Sequence, residues 1–353
     1  EIVGKTDDSG KFSFRQKAKR LRRWSPDDPH RYTVAITGLA DEVQDQIGFR
    51  TIETRGSDIL LNGAPIFLKG ICMHEESPLR QGRAHTREDA VQLLTWAKEL
   101  GCNYVRLAHY PHNEHMIRTA EEMGILVWEE IPVYWTISWE NPATYANAAA
   151  QLRTMIQRDR NRAATIIWSL ANETPNSEAR LRFLRNLAQE ARNLDSTRLI
   201  SAALEQVSDP TVPGQRTLQD PFAEVVDVLS FNQYIGWYDG LPDKCRTVRW
   251  KIPYDKPVLI SEFGAGAKFG FHGPKTYRWT EEFQADLYTE TLQMIDRIGQ
   301  LRGFSPWILV DFRSPRRVLP GVQDEWNRKG LISDDGRKKA AFDVLKEYYE
   351  RRK

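Results

Sequence analysis

The sequence predicts a (β/α)8 barrel of the α/β class, preceded by a short β-sandwich remnant. Three observations carry this. From Phe67 onward, short apolar strand-like runs alternate with amphipathic helical stretches. Several runs, such as Thr165-Ile-Ile-Trp-Ser-Leu, are continuously apolar, as parallel strands buried on both faces must be. No glycine-rich phosphate turn follows an early strand, as the competing doubly wound open sheet would need for its usual nucleotide role.

The first 56 residues read as a partial β-sandwich segment, and residues 57–353 as the barrel. Lys11–Arg15, Tyr32–Thr37 and Gly48–Arg55 have strand character, with Trp24–His30 as a loop. Three or four strands do not make a stable sandwich alone, so this segment is either the tail of a β-sandwich or leans on the barrel. The basic run Lys17–Arg23 reads as a solvated stretch. Asn62-Gly63 between apolar runs marks a hairpin. The eight expected barrel strands are Phe67–Met73, Tyr104–Leu107, Leu126–Glu130, Thr165–Leu170, Leu199–Leu204, Val226–Phe231, Val258–Ser261 and Gly303–Val310. Between them, helices are expected over Arg87–Leu100 and Glu114–Met123. The first is opened by Thr86 with Asp89 three residues on, and each is stopped by a glycine. Further helices fall near Pro142–Asn161, Ser177–Asn193, Glu281–Ile298 and Lys338–Arg351. The stretches after Leu204 and Phe231 are weakly patterned and read as loops or short helices.

Composition narrows the function. Fifty basic residues against 48 acidic ones leave a formal charge of +2, so no global field favours nucleic acid or an anionic membrane surface. No apolar run reaches ~18 residues. The polar stretch Glu1–Gly10 does not read as a signal peptide. Three cysteines without metal-ligand spacing argue against a disulfide framework and fit a reducing, cytoplasmic setting. The 11 tryptophans and 12 tyrosines suit both core packing and stacking on sugar faces.

In a barrel, polar residues at the C-terminal strand ends are the functional candidates. Here that rim reads His74-Glu75-Glu76, Arg106 with His109-Tyr110, Glu129-Glu130, Asn172-Glu173, Asn232-Gln-Tyr234, Glu262, and Trp307 with Asp311. So many buried-edge carboxylates and histidines are costly unless they are employed. Glu173 and Glu262 each directly follow an apolar strand and come from strands across the barrel mouth. Two carboxyl groups flanking one bond are what glycoside hydrolysis requires. A rim salt bridge explains one such glutamate but not the pair with its neighbours Asn172 and Tyr234.

Trp168-Ser-Leu-Ala-Asn-Glu173 resembles the W-S-x-x-N-E acid/base motif of glycoside hydrolase family 2, and Leu259-Ile-Ser-Glu262-Phe-Gly its nucleophile strand. Gly70–Glu75, Asn103–Pro111 and Gly124–Glu130 are similar to further signatures, and Trp24-Ser-Pro and Gly48-Phe-Arg to the end of the family's immunoglobulin-like domain. The family's N-terminal jelly roll and most of its central sandwich have no counterpart in this sequence. The resemblance implies a retaining exo-β-glycoside hydrolase that needs no cofactor and no metal, acts on carbohydrate, and forms homo-oligomers. It implies that Glu173 is the acid/base, that Glu262 is the nucleophile, and that Tyr234 tunes the nucleophile. Asn172 would meet the sugar 2-OH, and His74, His109, Trp307 and Tyr238 would line the sugar site.

The sugar is indicated by Trp326-Asn327-Arg328-Lys329, which resembles the N-x-K motif by which β-glucuronidases grip a carboxylate. An ammonium beside an amide suits a C6 carboxylate, and Arg317 offers a second cation. The stretch Leu319–Trp326 is longer than the usual spacing and could set Trp326 over the sugar. β-Galactosidase and β-galacturonidase stand as alternatives on the same pair, and an inactive sugar-binding remnant as the non-enzyme alternative.

Overall fold

A computed structural model describes residues 2–38 and 41–352; Glu1, Leu39, Ala40 and Lys353 lie outside the described residues. Eight parallel strands close a barrel in chain order: β1 Leu68–Met73, β2 Tyr104–Leu107, β3 Leu126–Glu130, β4 Thr165–Asn172, β5 Leu199–Leu204, β6 Leu229–Asn232, β7 Val258–Glu262 and β8 Leu301–Phe304. Nearly every residue in these strands is buried, which is why their sequences show no polar alternation. Bulges interrupt β4 between Ser169 and Asn172, and the β6 register between Phe231 and Asn232. Both lie at C-terminal ends, where a bulge turns the next side chain toward the mouth.

Six α-helices wrap the barrel: α1 Arg87–Glu99, α2 Glu114–Met123, α3 Pro142–Asp159, α4 Glu178–Leu194, α5 Glu281–Ile295 and α6 Ala340–Arg351. Local chemistry sets their ends. Thr86 and Asp89 form the expected reciprocal cap of α1. Gly124 ends α2 at φ 73°, and a Cβ there would come within 2.4 Å of the Pro26 carbonyl oxygen, so glycine is required on both counts. After β5 and β6, the 3-10 turns Pro221–Glu224 and Pro242–Arg246 replace regular helices, as the weak patterning predicts.

The N-terminal strands form small sheets. Tyr32–Thr37 pairs with Glu42–Ile47, and Ile52–Arg55 with Asp58–Leu61. The chain preceding the barrel leans on the barrel's underside. Trp24 is fully buried, and its indole N–H donates to the Glu121 carbonyl at 2.9 Å. The Arg50 guanidinium donates to the carbonyls of Ala163 (3.0 Å), Thr197 (3.1 Å) and Thr165, so the loop below β4 holds it in place of water.

Four expectations need correction. Lys11–Arg15 is exposed chain with no strand partner. The strand expected over Gly48–Arg55 starts at Ile52, and that expected over Val226–Phe231 runs Leu229–Asn232. The strand expected over Gly303–Val310 ends at Phe304. Its remaining apolar residues are shared: Leu309 N–H still donates to the Cys72 carbonyl of β1 at 3.0 Å, while Leu331 N–H donates to the Ile308 carbonyl at 2.9 Å and Ile332 N–H to that of Leu309 at 2.9 Å. Apolar character alone does not say which neighbour a buried strand takes.

Candidate active site

Arg106, at the end of β2, is the hub of the barrel mouth. It is fully buried, and its fork reaches three strands. One terminal nitrogen donates to Glu262 Oε1 at 2.8 Å and the Ser261 carbonyl at 3.0 Å. The other donates to Asn172 Oδ1 at 2.8 Å and Glu130 Oε1 at 3.2 Å, and Nε to Glu130 Oε2 at 3.1 Å. Only a planar guanidinium can serve this many acceptors at fixed angles. Burial opposes its charge, but Glu130 and Glu262 outweigh that and hold its pKa well above the ordinary value. Glu130 is itself brought down to about 2: burial pushes it up, and Arg106 and His109 more than offset this.

Glu262 ends β7. Its second oxygen accepts from the Tyr234 hydroxyl at 2.7 Å, and His109 Nε2 lies 3.7 Å from its first. Its pKa is raised, first by burial and then by the charge of Glu173, against the pull of Arg106, His109 and Tyr234. Glu173 follows the bulged end of β4 at φ 50°, a left-handed turn that departs from the strand direction. Its Oε1 accepts from the Asn232 amide at 2.9 Å, and its Oε2 from Trp135 Nε1 at 3.1 Å. Asn232 and Glu262 are register partners across β6 and β7. The two glutamates therefore belong to one polar cluster, each within reach of the other's charge. Asn172 Oδ1 accepts from both Arg106 and Asn232 (3.1 Å), which leaves its amide nitrogen free to donate.

An aromatic wall borders the cluster. Trp307 stacks on His109 with centroids 4.9 Å apart and meets His74 edge-on at 5.2 Å. His74 also packs on Phe312, and its Nδ1 lies 3.1 Å from the Tyr110 hydroxyl. Burial holds its pKa well below the ordinary value, so this imidazole is neutral.

Cations gather on another side. Lys329 is only 5% exposed, and its ammonium donates to the Tyr238 hydroxyl at 2.7 Å. It sits 4.9 Å from the Tyr238 ring centroid and 5.6 Å from that of Tyr234. Burial lowers its pKa and Arg317 adds to this, against the phenol of Tyr238. Burial pushes Tyr238 up, but Lys329 and Arg317 outweigh it and bring the phenol down. Among the described residues, no carboxylate lies within 4.0 Å of the Lys329 ammonium or the Arg317 guanidinium.

The turn carrying Lys329 is anchored from below. Asn327 Oδ1 accepts from Lys329 N–H at 3.1 Å, and Asp311 Oδ1 from Gly330 N–H at 2.8 Å. Asp311 is fully buried under the Lys339 ammonium, 2.7 and 2.9 Å from its two oxygens, and burial pushes it up to about 6 despite that partner. Lys339→Met should leave the buried Asp311 carboxylate with only the longer Arg328 contact at 3.4 Å and cost about 3 kcal/mol. Denaturant unfolding checks this, and an unchanged midpoint would show the pair to be dispensable.

The structure brings Glu173, Glu262, Tyr234, Asn172, His109 and Trp307 together, with Lys329, Tyr238 and Arg317 beside them and His74 behind Trp307. Trp326 departs from its expectation of covering the sugar. It lies between Arg313 and Arg328, 5.2 and 5.4 Å from their guanidinium carbons, and lines a separate cavity of about 520 Å³ with Glu75, Arg83 and Tyr110. Asn327 turns its carbonyl oxygen back on its own loop. Glu129 points outward from the barrel to Thr165 and Arg158, as strand alternation requires, so only Glu130 of that pair reaches the mouth. Sequence reasoning placed Arg106, Glu130 and Asn232 at the rim without giving them a role, and missed Trp135. Arg106 was signalled by standing alone as a cation inside an apolar strand; Trp135 had no signal.

The family model for the TIM barrel domain of glycosyl hydrolases family 2 matches residues 52–353. The β-glucuronidase of Paenibacillus borealis is 29% identical over 94% of this chain, and that of Streptococcus agalactiae 28% over 99%. The chain spans 58% and 61% of those two proteins. Among solved structures, a family 2 β-galacturonidase from Eisenbergiella tayi bound to galacturonate superposes with a TM-score of 0.82 at 30% identity, covering 93% of this chain and 59% of that one. A Faecalibacterium prausnitzii β-glucuronidase gives 0.82 at 27%, covering 95% and 57%. With the family model covering the whole barrel, this chain belongs to glycosyl hydrolase family 2.

Proposed function

We propose that this chain is the catalytic barrel of a retaining exo-β-glycosidase acting on β-glucuronides. The observation that carries the sugar assignment is the buried Lys329 ammonium, hydrogen-bonded to a phenol and flanked by Arg317, with no carboxylate of its own among the described residues. A buried cation demands an anion, and a sugar C6 carboxylate is one. A neutral galactoside would leave it unmet. The galacturonate bound in the Eisenbergiella tayi structure keeps β-galacturonidase as a second reading, since the two uronates share the C6 carboxylate and differ at C4.

In this reading Glu262 attacks the anomeric carbon while Glu173 gives its proton to the leaving oxygen. Glu173 then takes a proton from water as that water releases the sugar from Glu262. Arg106 and Tyr234 hold the nucleophile's two oxygens, and Asn172 donates to the 2-OH. Trp307 and His109 form the wall against which the ring packs. The three cysteines are all free, which fits a reducing cytoplasmic setting. No helix among the described residues is long and apolar enough to cross a membrane.

Nitrophenyl β-glucuronide, β-galacturonide and β-galactoside assayed side by side test the reading. Glucuronide should be turned over fastest and galactoside slowest; a galactoside preference would sink it. The pH profile gives a second test. Glu262 must be ionised to attack, and its raised pKa means it protonates at a higher pH than an ordinary glutamate. Activity should therefore fall as the pH drops through a limb lying above the usual carboxylate range. Tyr234→Phe removes a hydrogen bond to the charged form, worth about 1.5–3 kcal/mol, and should move that limb up by roughly one to two pH units. An unmoved limb would separate Tyr234 from the nucleophile.

A further inference from the structure

We infer that Trp135 is a positioning residue for Glu173: its indole N–H holds Oε2 while this group is a carboxylate and must be displaced before this group can act as an acid. The inference rests on the assignment of Glu173 as the acid/base.

Both Glu173 oxygens already carry a donor. Asn232 Nδ2 lies 2.9 Å from Oε1, and Trp135 Nε1 lies 3.1 Å from Oε2. A proton placed on either oxygen to serve a leaving group must compete with one of them. Asn232 cannot yield. It is 6% exposed and belongs to the barrel wall, and its Oδ1 accepts from Ser261 Oγ at 2.8 Å. Trp135 can yield. It is 58% exposed, lies in the loop between β3 and α3, and holds a left-handed backbone at φ 56°.

The loop is tied to the site at its base. Tyr134 forms a bridge with Asn172, and Trp135 N–H donates to the Asn172 carbonyl at 3.1 Å. The indole is thus delivered to Glu173 by backbone contacts to the residue just before it, while its own ring faces solvent. Tyr134 meets Trp135 edge-on at 5.4 Å and His109 at 5.9 Å, so the aromatic wall behind the sugar continues out to the indole. That places Trp135 on the solvent side of the acid, where the leaving group must sit.

The proton balance follows. The leaving oxygen enters at Oε2 and turns the indole aside, and the carboxyl proton passes to that oxygen as the glycosidic bond breaks. The new carboxylate then recovers the N–H of Trp135 and is held charged until it takes a proton from the attacking water. The indole exchanges no proton.

Trp135→Phe keeps the ring and removes only the donor. Its kcat/KM profile on a nitrophenyl β-glucuronide should keep the acidic limb and show the alkaline limb moved up by about half to one pH unit, up to a tenfold change in the acid's ionisation constant. Across aryl β-glucuronides of graded phenol acidity, kcat should change most for the poorest leaving groups. Trp135→Ala should add a rise in KM, through loss of the ring face. Coincident profiles for Trp135→Phe and the wild type, with equal leaving-group dependence, would overturn the inference. Glu173→Gln separates this from failure of the parent reading. If Glu173→Gln turns over poor leaving groups as the wild type does, the acid/base assignment itself is wrong. If Glu173→Gln is impaired and Trp135→Phe is not, only the role of Trp135 falls.

Discussion

Glu262→Gln should lower kcat on a nitrophenyl β-glucuronide by on the order of ten-thousand-fold or more, because in the proposed mechanism it removes the carboxylate that forms the glycosyl-enzyme bond. The amide has the carboxylate's shape, so packing at the end of β7 is preserved. What changes is charge. Arg106 keeps Glu130 as an ion partner and stays paired, so the fold should survive and the loss should read as chemistry. The amide oxygen can still accept from Arg106, and its NH2 can donate to the Tyr234 hydroxyl oxygen. Glu173→Gln should behave differently. General acid catalysis contributes about 10²–10⁴-fold, and that loss should shrink as the leaving group becomes a better one. The diagnostic is the contrast: uniform loss for Glu262→Gln, graded loss for Glu173→Gln. Glu262→Gln retaining a percent or more of wild-type kcat would remove it from the nucleophile's role.

Lys329→Ala should lower kcat/KM on the glucuronide by about 30- to 5000-fold, while whatever turnover the galactoside shows changes far less. Truncating one partner of a buried, hydrogen-bonded charge pair costs about 2–5 kcal/mol. In the free protein the ammonium has Tyr238 but no carboxylate among the described residues, and in the proposed reading the substrate supplies the missing charge. Lys329→Arg is not a rescue: a planar fork does not fit a pocket shaped for a point donor between Tyr238 and the ring of Tyr234. Equal losses on both sugars would mean that Lys329 supports the loop and does not read the carboxylate.

The barrel was legible in the sequence because its strands are short, buried on both faces and separated by helices with clear caps. Thr86 with Asp89 and Gly124 act within a few residues, and local chemistry of that range is written directly in the chain. The rim was legible for the same reason. Glu173 and Glu262 stand at the C-terminal ends of apolar strands, where the barrel opens, whereas Glu129, one residue before the end of β3, turns outward. The sequence by itself thus determined the fold class, the order of the strands and the place of Glu173 and Glu262 at strand ends. Tertiary structure alone decided what those carboxylates touch. Arg106 serves acceptors from β3, β4 and β7, lying 24 to 156 residues away along the chain, and no periodicity encodes that. It also decided where Ile308–Val310 goes, since a buried apolar strand pairs equally well with the barrel or with Leu331-Ile332. It turned Trp326 aside between two arginines, and brought Trp135 from a featureless loop onto Glu173. The reason is the same in each case: secondary structure answers to neighbours a few residues apart, whereas charge pairing and side-chain hydrogen bonds answer to distance in space.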